Sequence, residues 1–446
     1  MKCIEDEIPF ELPEGWSWTR LGSLFSTITG STPSTKDASL YGDEYPFYKP
    51  TDLDAGFDVC VSEDTVSEKG YKNGRILPMY SVLVTCIGAT IGKTGYIKNS
   101  GICNQQINAI LPNTFILPEY TYFCMCSEFE QQQIWTNSSA TTLPILNKSK
   151  FDILFFPVPP KAQQTRTVER IKELLHFVEI IQQEKRTLQE TIKLTKSKIL
   201  DLAIRGKLVP QDPNDEPASV LLERIRSEKE ELIKQGKIKR DKKESVIFKG
   251  DDNSYYLRTG GVEESLENWR FDDLPETWKI CCLGELCDYG DCINVNTEDI
   301  AEDAWILDLE DIEKDTGMVL KKVTKAQRNS VSTKHKFHSG QVLYSKLRPY
   351  LNKVVLSDAD GYCTSEILPL EFKNCVLPEY ARYYLMSGTF ITYANHCSYG
   401  VKMPRLGTTD GKKAIFSLPP LSEQKCIVET IDFCFMQLNK ISEALA

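Results

Sequence analysis

The feature that most constrains the fold of this chain is an internal repeat. Three short motifs occur twice, in the same order along the chain. The pairs are LPEGW at Leu12–Trp16 with LPETW at Leu274–Trp278, LPEY at Leu117–Tyr120 with Leu377–Tyr380, and Pro159–Gln164 with Pro419–Gln424. The offset between the copies is 262 residues for the first pair and 260 for the other two. A nearly constant offset over about 150 residues indicates two copies of one fold, and the dissimilar sequences between the motifs indicate surfaces that have varied separately.

Each copy begins with a strand-rich segment and continues into a helix. Short runs of β-branched and aromatic residues, broken by Gly, Pro and Asn, predict strands at 81–87, 102–111 and 341–345. Short helices are predicted at 118–132 and 378–388, because a proline near the start of a helix costs little. In both copies the strand-rich segment ends at a Pro-Pro pair.

The segment after the first Pro-Pro pair contains no Gly or Pro from Gln164 to Arg205. Its apolar residues follow a seven-residue spacing, which is typical of a coiled-coil helix. One set of positions is Ile171, Val178, Lys185, Ile192 and Ile199, and the other is Leu174, Ile181, Leu188, Thr195 and Leu202. A helix of ~40 residues would form a rod of roughly 60 Å. A matching stripe follows the second copy at Ile427, Ile431, Cys434, Leu438, Ile441 and Leu445.

A single apolar stripe could simply pack on its own domain. Two matched stripes, each after a matched domain, favour two helices that pack on each other. The predicted fold class is therefore α+β, with two strand-rich domains in tandem, separated by long helices that form an antiparallel coiled coil with pseudo-twofold symmetry. The predicted segments are a first domain at 1–160, a helix at 161–207, a central linker at 208–268 with a helix at about 217–235, a second domain at 269–420 and a second helix at 421–446.

Several protein classes are disfavoured by the composition. No run of eighteen apolar residues is present, which argues against a transmembrane helix, and the N-terminal sequence does not resemble a signal peptide. A cytoplasmic protein is expected. The 15 cysteines form no C-x-x-C pair and the four histidines have no ligand-like spacing, so buried thiols are expected and no metal site.

The charge of the chain argues against a simple DNA-binding protein. The net charge is -10 and the isoelectric point is about 5.2, whereas phosphate binding requires a positive surface. The distribution of charge matters more than its sum, however, and a protein that works inside a larger complex can leave part of the phosphate neutralisation to its partners. A scaffold protein with two protein-binding domains and no DNA role remains the alternative.

No motif in the chain predicts catalysis. Gly88–Thr94 (GATIGKT) resembles a phosphate-binding loop, but it has three residues between its glycines instead of four and a strand-like segment follows it. A glycine-rich hairpin that carries Lys93 is the better interpretation. Neither Pro-Pro pair is preceded by Asn or Asp or followed by an aromatic residue, as an adenine methyltransferase would require. The chain is therefore expected not to be an enzyme.

Three groups of loop residues in each domain carry side chains suited to DNA. Phosphates are contacted by Lys, Arg, Ser, Thr and Asn, and base edges by Arg or Lys for guanine and Asn or Gln for adenine. In the first domain the candidates are Thr32, Ser34, Lys36, Tyr48, Lys49, Lys93, Asn104, Gln105, Gln106, Ser139 and Thr141. In the second domain they are Lys346, Arg348, Tyr350, Lys353, Ser365, Lys402 and Arg405. Amides and hydroxyls also close turns, so each single residue has a structural alternative.

Four segments resemble the specificity subunits of type I restriction–modification enzymes. They are PFELPEGW at Pro9–Trp16, GKLVPQDPNDEPAS at Gly206–Ser219, LRPYLNK at Leu347–Lys353 and YGVKMPRL at Tyr399–Leu406. The resemblance covers nearly the whole chain. It implies that each strand-rich domain is a target recognition domain for one half of a split double-stranded DNA site, and that adenine methylation and restriction are carried out by partner subunits.

The same resemblance implies partners and cofactors. Two methyltransferase subunits would dock on the paired helices, and restriction subunits would complete the complex. S-adenosylmethionine, ATP and Mg²⁺ are then expected only in the partner subunits, and this chain would need no cofactor. The positions expected at the helix and subunit interface are Ile171, Leu174, Val178, Ile181, Leu188, Ile192, Ile199, Leu202, Ile431, Leu438 and Ile441.

Overall fold

The computed structural model describes residues 7–139, 143–237, 245–252, 254–266, 274–328 and 331–445. The chain falls into two compact units, Met1–Gln183 and Glu184–Ala446. Each unit contains one copy of the repeat.

The first unit is built from short strands with small helices between them. Its strands are β1 Ser17–Arg20, β2 Thr27–Thr29, β3 Tyr41–Tyr48, β4 Asp64–Val66, β5 Val82–Thr85, β6 Thr94–Tyr96, β7 Ile102–Cys103, β8 Ile107–Ile110 and β9 Phe155–Val158. Its helices are α1 Leu21–Leu24, α2 Glu68–Asn73, α3 Pro118–Met125, α4 Glu128–Asn137 and α5 Lys148–Asp152. The strands form sheets of order β2-β8-β5-β6 and β4-β3-β7 and the pair β1-β9. The hairpin β5–β6 is antiparallel and carries Lys93 in its turn, as the sequence predicts.

A long helix, α6, runs from Lys161 to Ala203. It starts directly after the Pro-Pro pair and continues for 43 residues, because no Gly or Pro interrupts it. It ends where Gly206 takes the left-handed conformation with φ of 65°, and the Lys207 amide donates back to the Leu202 carbonyl. A side chain at this glycine would collide with the ring of Pro275.

The second unit contains the second copy and a central insertion. Its strands are β10 Ser245–Lys249, β11 Tyr255–Thr259, β12 Val262–Ser265, β13 Lys279–Cys282, β14 Ile293–Val295, β15 Trp305–Leu307, β16 Val323–Thr324, β17 Lys334–Phe337, β18 Val342–Ser345, β19 Val354–Leu356, β20 Gly361–Thr364, β21 Ile367–Leu370 and β22 Ile415–Leu418. Its helices are α7 Ala218–Lys234, α8 Leu283–Leu286, α9 Pro378–Leu385, α10 Gly388–His396, α11 Thr408–Lys413 and α12 Leu421–Ala444. The sheets are β14-β17-β20-β15-β16, β19-β18-β21, β10-β11-β12 and the pair β13-β22.

The two copies share one hydrogen-bonded frame. In each, the strand at the start of the domain pairs antiparallel with the strand at its end, β1 with β9 and β13 with β22. The tyrosine of each LPEY motif bridges from the following helix to the last strand. Tyr120 Oη donates to the Pro157 carbonyl at 3.1 Å, and Tyr380 Oη donates to the Ser417 carbonyl at 3.0 Å. The repeat in sequence is therefore a repeat in structure.

A buried glutamine explains the spacing after each Pro-Pro pair. Gln164 accepts a hydrogen bond from the Leu117 amide at 2.8 Å and donates to the Pro159 carbonyl at 3.0 Å. Gln424 makes the matching bonds to Leu377 and Pro419 at the same two distances. Both glutamines are almost fully buried. Each one ties the start of its long helix to the start of the LPEY helix, so that the helix leaves the domain in a fixed direction.

The two stripe-bearing helices contact each other antiparallel inside the second unit. Lys196 of α6 donates to the Asn439 side chain at 2.6 Å, and Ile204, eight residues further along the chain, accepts from Ser417 just before α12. Ile192 and Ile431 are buried, while Ile199, Leu202 and Leu438 are half-buried. The other predicted interface positions lie nearer to solvent: Ile171 is half-buried and Leu174, Val178, Ile181, Leu188 and Ile441 are exposed.

Several predicted elements are wrong in detail. The strand predicted at 102–111 is two strands, β7 and β8, separated by a turn at Asn104. The helices predicted at 118–132 and 378–388 are each two helices, because Ser127 and Ser387 cap a new helix by accepting a hydrogen bond from the amide three residues ahead. The sheet β10–β12 was not predicted at all within the linker.

Within the described ranges, no helix has the length and apolar character needed to cross a membrane. The described cysteines are free thiols, and seven of them are buried. The same ranges contain no cluster of His, Cys, Asp and Glu suited to hold a metal ion.

Candidate nucleic-acid interface

Four loops of the first domain meet at one end of the sheet β2-β8-β5-β6. They contain residues 30–36, 86–93, 104–106 and, from the fourth loop, 139 and 143–145, and together these residues are called the first loop cluster here. They hold one another by main-chain hydrogen bonds: the Ser31 amide donates to Cys103 at 2.8 Å, Cys86 to Gln106 at 2.7 Å, and Gly88 to Pro144 at 3.0 Å. Gly30 lies so close to the carbonyl of Asn104 that any side chain there would collide with it. Three of the residue groups predicted from the sequence are thus neighbours in space.

The second domain builds the same arrangement from 345–353, 364–366 and 399–406, called the second loop cluster here. The Lys346 amide donates to Glu366 at 3.0 Å, as Cys86 does to Gln106. The Arg348 amide donates to Pro404 at 2.7 Å, as Gly88 does to Pro144. Bridges also pair Leu347 and Tyr399 with Arg405, matching Ile87 and Ser139 with Ile145. Three loops of the first cluster therefore have counterparts in the second, and the main-chain hydrogen bonds that join these three match residue by residue.

Two candidates of the first domain are structural. Tyr48 is fully buried and donates from Oη to the Asn99 carbonyl at 3.0 Å, and burial raises the pKa of its hydroxyl. Its prediction as a DNA contact is wrong, because the run that contains it is a core strand rather than a loop. Asn104 is also buried, and its side chain closes the turn by accepting from the Gln106 amide at 3.1 Å and donating to the Gln106 side chain.

Five other candidates of the first cluster lie on its surface. Thr32 donates to the exposed Gln105 side chain, which links the 30–36 loop to the 104–106 turn. Ser34 and Lys36 are exposed on the same loop. Ser139 is exposed but donates to the Ile145 carbonyl at 3.1 Å. The predicted contact at 141 lies outside the described residues, and therefore Thr141 stays a prediction from sequence.

The two remaining candidate lysines of the first domain, Lys49 and Lys93, are already paired with carboxylates. Lys93 lies 2.6 Å from Asp54. Lys49 is paired with Asp64, and this hydrogen bond raises the pKa of its ammonium group. Contact with a phosphate would require each lysine to give up its carboxylate partner. Because both ion pairs are partly exposed, this exchange would cost little free energy.

Arg405 and Lys353 of the second domain are engaged within the protein. The Arg405 guanidinium contacts Glu366 through two nitrogens, with Nη2 to Oε1 at 2.7 Å and Nε to Oε2 at 3.0 Å. This hydrogen bond to Glu366 raises the pKa of Arg405. Lys353 donates to the Leu309 carbonyl at 2.6 Å, and burial lowers its pKa. Glu366 lies 260 residues after Gln106, in the loop 364–366 that the sequence predicts as the counterpart of 104–106.

Within the described residues, the side chains of the other candidates of the second cluster make no hydrogen bond or ion pair, and all of them are at least partly exposed. Tyr350 is half exposed, and Ser365 and Lys402 are exposed. Lys346 and Arg348 are partly exposed. None of the four cations Lys346, Arg348, Lys402 and Arg405 has a cationic counterpart among Cys86, Gly88, Thr142 and Ile145 of the first copy. With one carboxylate, Glu366, the second cluster is the more positive of the two.

A family model described as the type I restriction modification DNA specificity domain matches this chain twice, at residues 13–190 and 275–444. The two matches coincide with the two copies of the repeat and cover most of the chain. The chain therefore belongs to the family of type I restriction–modification DNA specificity subunits, as the resemblance in sequence indicates.

Curated relatives agree with this assignment. The chain is 22% identical over 440 residues to the Escherichia coli type I restriction enzyme EcoDI specificity subunit, covering 97% of this chain and 84% of that protein. It is 24% identical over 502 residues to the EcoAI specificity subunit of the same species, covering 98% and 80%. The relatives are specificity subunits by name.

Solved structures support the fold. A structure described in work on complex assembly and conformational transition of the type I R-M system matches with a TM-score of 0.61 and 16% identity, covering 98% of this chain and 94% of that one. The HsdS subunit from Thermoanaerobacter tengcongensis matches with a TM-score of 0.55 and 16% identity, covering 98% and 93%. The predicted α+β class with two tandem domains and a long helix is confirmed.

Proposed function

We propose that this chain recognises a bipartite double-stranded DNA site, with each strand-rich domain binding one half. The observation that carries the proposal is the equivalence of the two loop clusters. Matching main-chain hydrogen bonds hold the loops together in both clusters, yet the exposed side chains differ at nearly every matched position. One scaffold with two sets of polar loops suits the reading of two different half-sites.

The same proposal assigns the catalytic work to partners. Two methyltransferase subunits would add the methyl group to adenine and restriction subunits would cut, and S-adenosylmethionine, ATP and Mg²⁺ would belong to those subunits. Support comes from α6, where Leu174, Val178, Ile181 and Leu188 expose roughly half of their apolar side chains. An apolar face of this kind suits a stable subunit contact. Partners would also supply positive surface that this acidic chain lacks.

The test is methylation mapping. The chain is co-expressed with its cognate modification subunit in a methylation-free host, and modified bases are located by sequencing. A split motif with a fixed spacer, absent when the chain is omitted, is expected. Replacing 274–418 with the matching domain of a relative of known specificity should change one half of the motif and leave the other intact. Methylation without a motif, despite a stable complex, would favour the scaffold alternative.

A further inference from the structure

The turn after β5 in the first domain and after β18 in the second has the same backbone but different residues. Two positions take the left-handed conformation in both copies. They are Gly88 and Gly92 in the first domain, and Arg348 and Asn352 in the second. Glycine adopts this conformation freely and asparagine tolerates it, whereas a long side chain such as arginine rarely does. The φ of Arg348 is 51° and its ψ is 64°.

Another strained position shows what normally accompanies such a residue. Tyr80 has a φ of 70° where the second domain has Gly340. Its ring stacks on Tyr96 with 5.9 Å between centroids, so that the side chain contributes to its own domain. Arg348 makes no comparable contact. Within the described residues its guanidinium has no hydrogen bond, ion pair or ring partner, and its buried Nε lacks an acceptor.

The turn that carries Arg348 is rigid. Its amide is fixed to the Pro404 carbonyl, and the Leu351 amide donates back to its own carbonyl at 2.9 Å. The next residue, Pro349, is buried and starts the 3-10 turn Pro349–Leu351. The side chain therefore starts from a fixed backbone position, and within the described residues its planar guanidinium makes no hydrogen bond to the protein.

We propose that Arg348 reads the edge of a guanine in the half-site bound by the second domain. An unpaired guanidinium on a fixed backbone turn matches the two acceptors O6 and N7 that guanine presents in the major groove. Its counterpart Gly88 has no side chain, so the first domain reads its half-site without this contact. The proposal rests on the proposed function, because it presupposes that the loop clusters meet DNA.

Arg348→Gly is the appropriate variant, because glycine is the residue that the first domain uses at this position and no backbone strain is introduced. In the methylation assay above, wild type should show a guanine in the second half of the motif. Arg348→Gly should lose the preference for guanine at one position of that half, by roughly 10- to 100-fold in discrimination. The first half should be unchanged. Arg348→Lys keeps the charge but loses the two parallel N–H donors of the guanidinium, and should therefore weaken the preference for guanine at the same position.

Lys402→Ala is the matched control. It removes a cation from the same cluster without removing a fork, and should lower the extent of methylation while leaving the motif intact. If Arg348→Gly blocks methylation, binding of the variant complex to duplexes that differ at each position of the second half decides the matter. Weakening confined to guanine at one position supports base reading.

An unchanged motif in Arg348→Gly, equal weakening on all sequences, or a wild-type second half without guanine overturns the inference on Arg348. Failure of the wild-type complex to methylate any motif would instead refute the proposed function, and the two failures are thereby distinguishable.

Discussion

The two strand-rich domains differ most where they would meet DNA and least where they join the long helices. At the joins, the same tyrosine and the same glutamine make the same hydrogen bonds at nearly identical distances. At the loop clusters, only the main-chain bonds agree. The difference teaches that the frame depends on backbone pairing and a few buried polar groups, which leaves the exposed side chains free to vary.

The largest expected effect tests the shared part of this comparison. Gln164→Ala and Gln424→Ala should each destabilise their own domain by about 3 kcal/mol, because several buried main-chain groups lose their partner. Hydrogen exchange of the helices at 118–125 and 378–385 would locate the loss. Gln163→Ala, at the position next to Gln164, should change the stability only slightly. Markedly unequal losses of stability in the two domains would mean that Gln164 and Gln424 do not have equivalent roles.

The next prediction concerns a buried acid that only one domain contains. Glu130 is fully buried where the second domain has Phe390, and both residues follow a capping serine. Burial raises the pKa of the Glu130 carboxyl to about 8. A raised pKa means that the folded state retains the proton, so this contribution to stability is complete below pH of about 4.5 and is lost as the pH rises towards 8.

Helix α4 should therefore lose protection from hydrogen exchange between pH 5 and 8, by up to about 1.4 kcal/mol per pH unit. Helix α10, which contains Phe390, is the internal control and should not. Glu130→Gln should remove the dependence. A wild-type α4 whose protection stays constant over this range would show that the carboxyl ionises normally.

Substitutions at the left-handed turn should affect the stability of the two domains differently. Gly88→Ala should destabilise the first domain by about 1–2 kcal/mol, because φ there is 102° and a side chain strains it. Arg348→Gly should leave the second domain equally stable or slightly more so. Thermal unfolding of the full chain monitors both. Destabilisation by Arg348→Gly would indicate that the arginine side chain holds the turn after all.

The smallest expected effect concerns salt. Glu366 neutralises Arg405, whereas the matching Gln106 carries no charge. Glu366→Gln should free one cation and steepen the dependence of DNA affinity on salt concentration by about one counterion. Affinity of the complex measured at several salt concentrations would test this. An unchanged slope would place Arg405 away from the phosphates.

The sequence predicts the architecture well and the site only in part. The repeat, the long helix and the grouping of loops follow from the spacing of motifs along the chain. This is because the motifs contain the tyrosines and glutamines whose hydrogen bonds hold each domain together. The central sheet β10–β12 could not be predicted, since its strands are short and lie in a polar linker. Tyr48 and Asn104 were misjudged because burial depends on the partner strand and not on residue type. The pairing of Arg405 with Glu366 joins positions 39 residues apart and needs the folded structure.

The antiparallel pairs β1–β9 and β13–β22 have a consequence for how such proteins change. The first and last strands of each domain are paired neighbours. The chain segment between them therefore begins and ends at the same edge of the domain. A recombination event that exchanges this interval delivers a complete new set of loops without shifting either long helix. Under the proposed function, such an exchange would change the half-site that one domain reads and would leave the surface of the long helices unchanged.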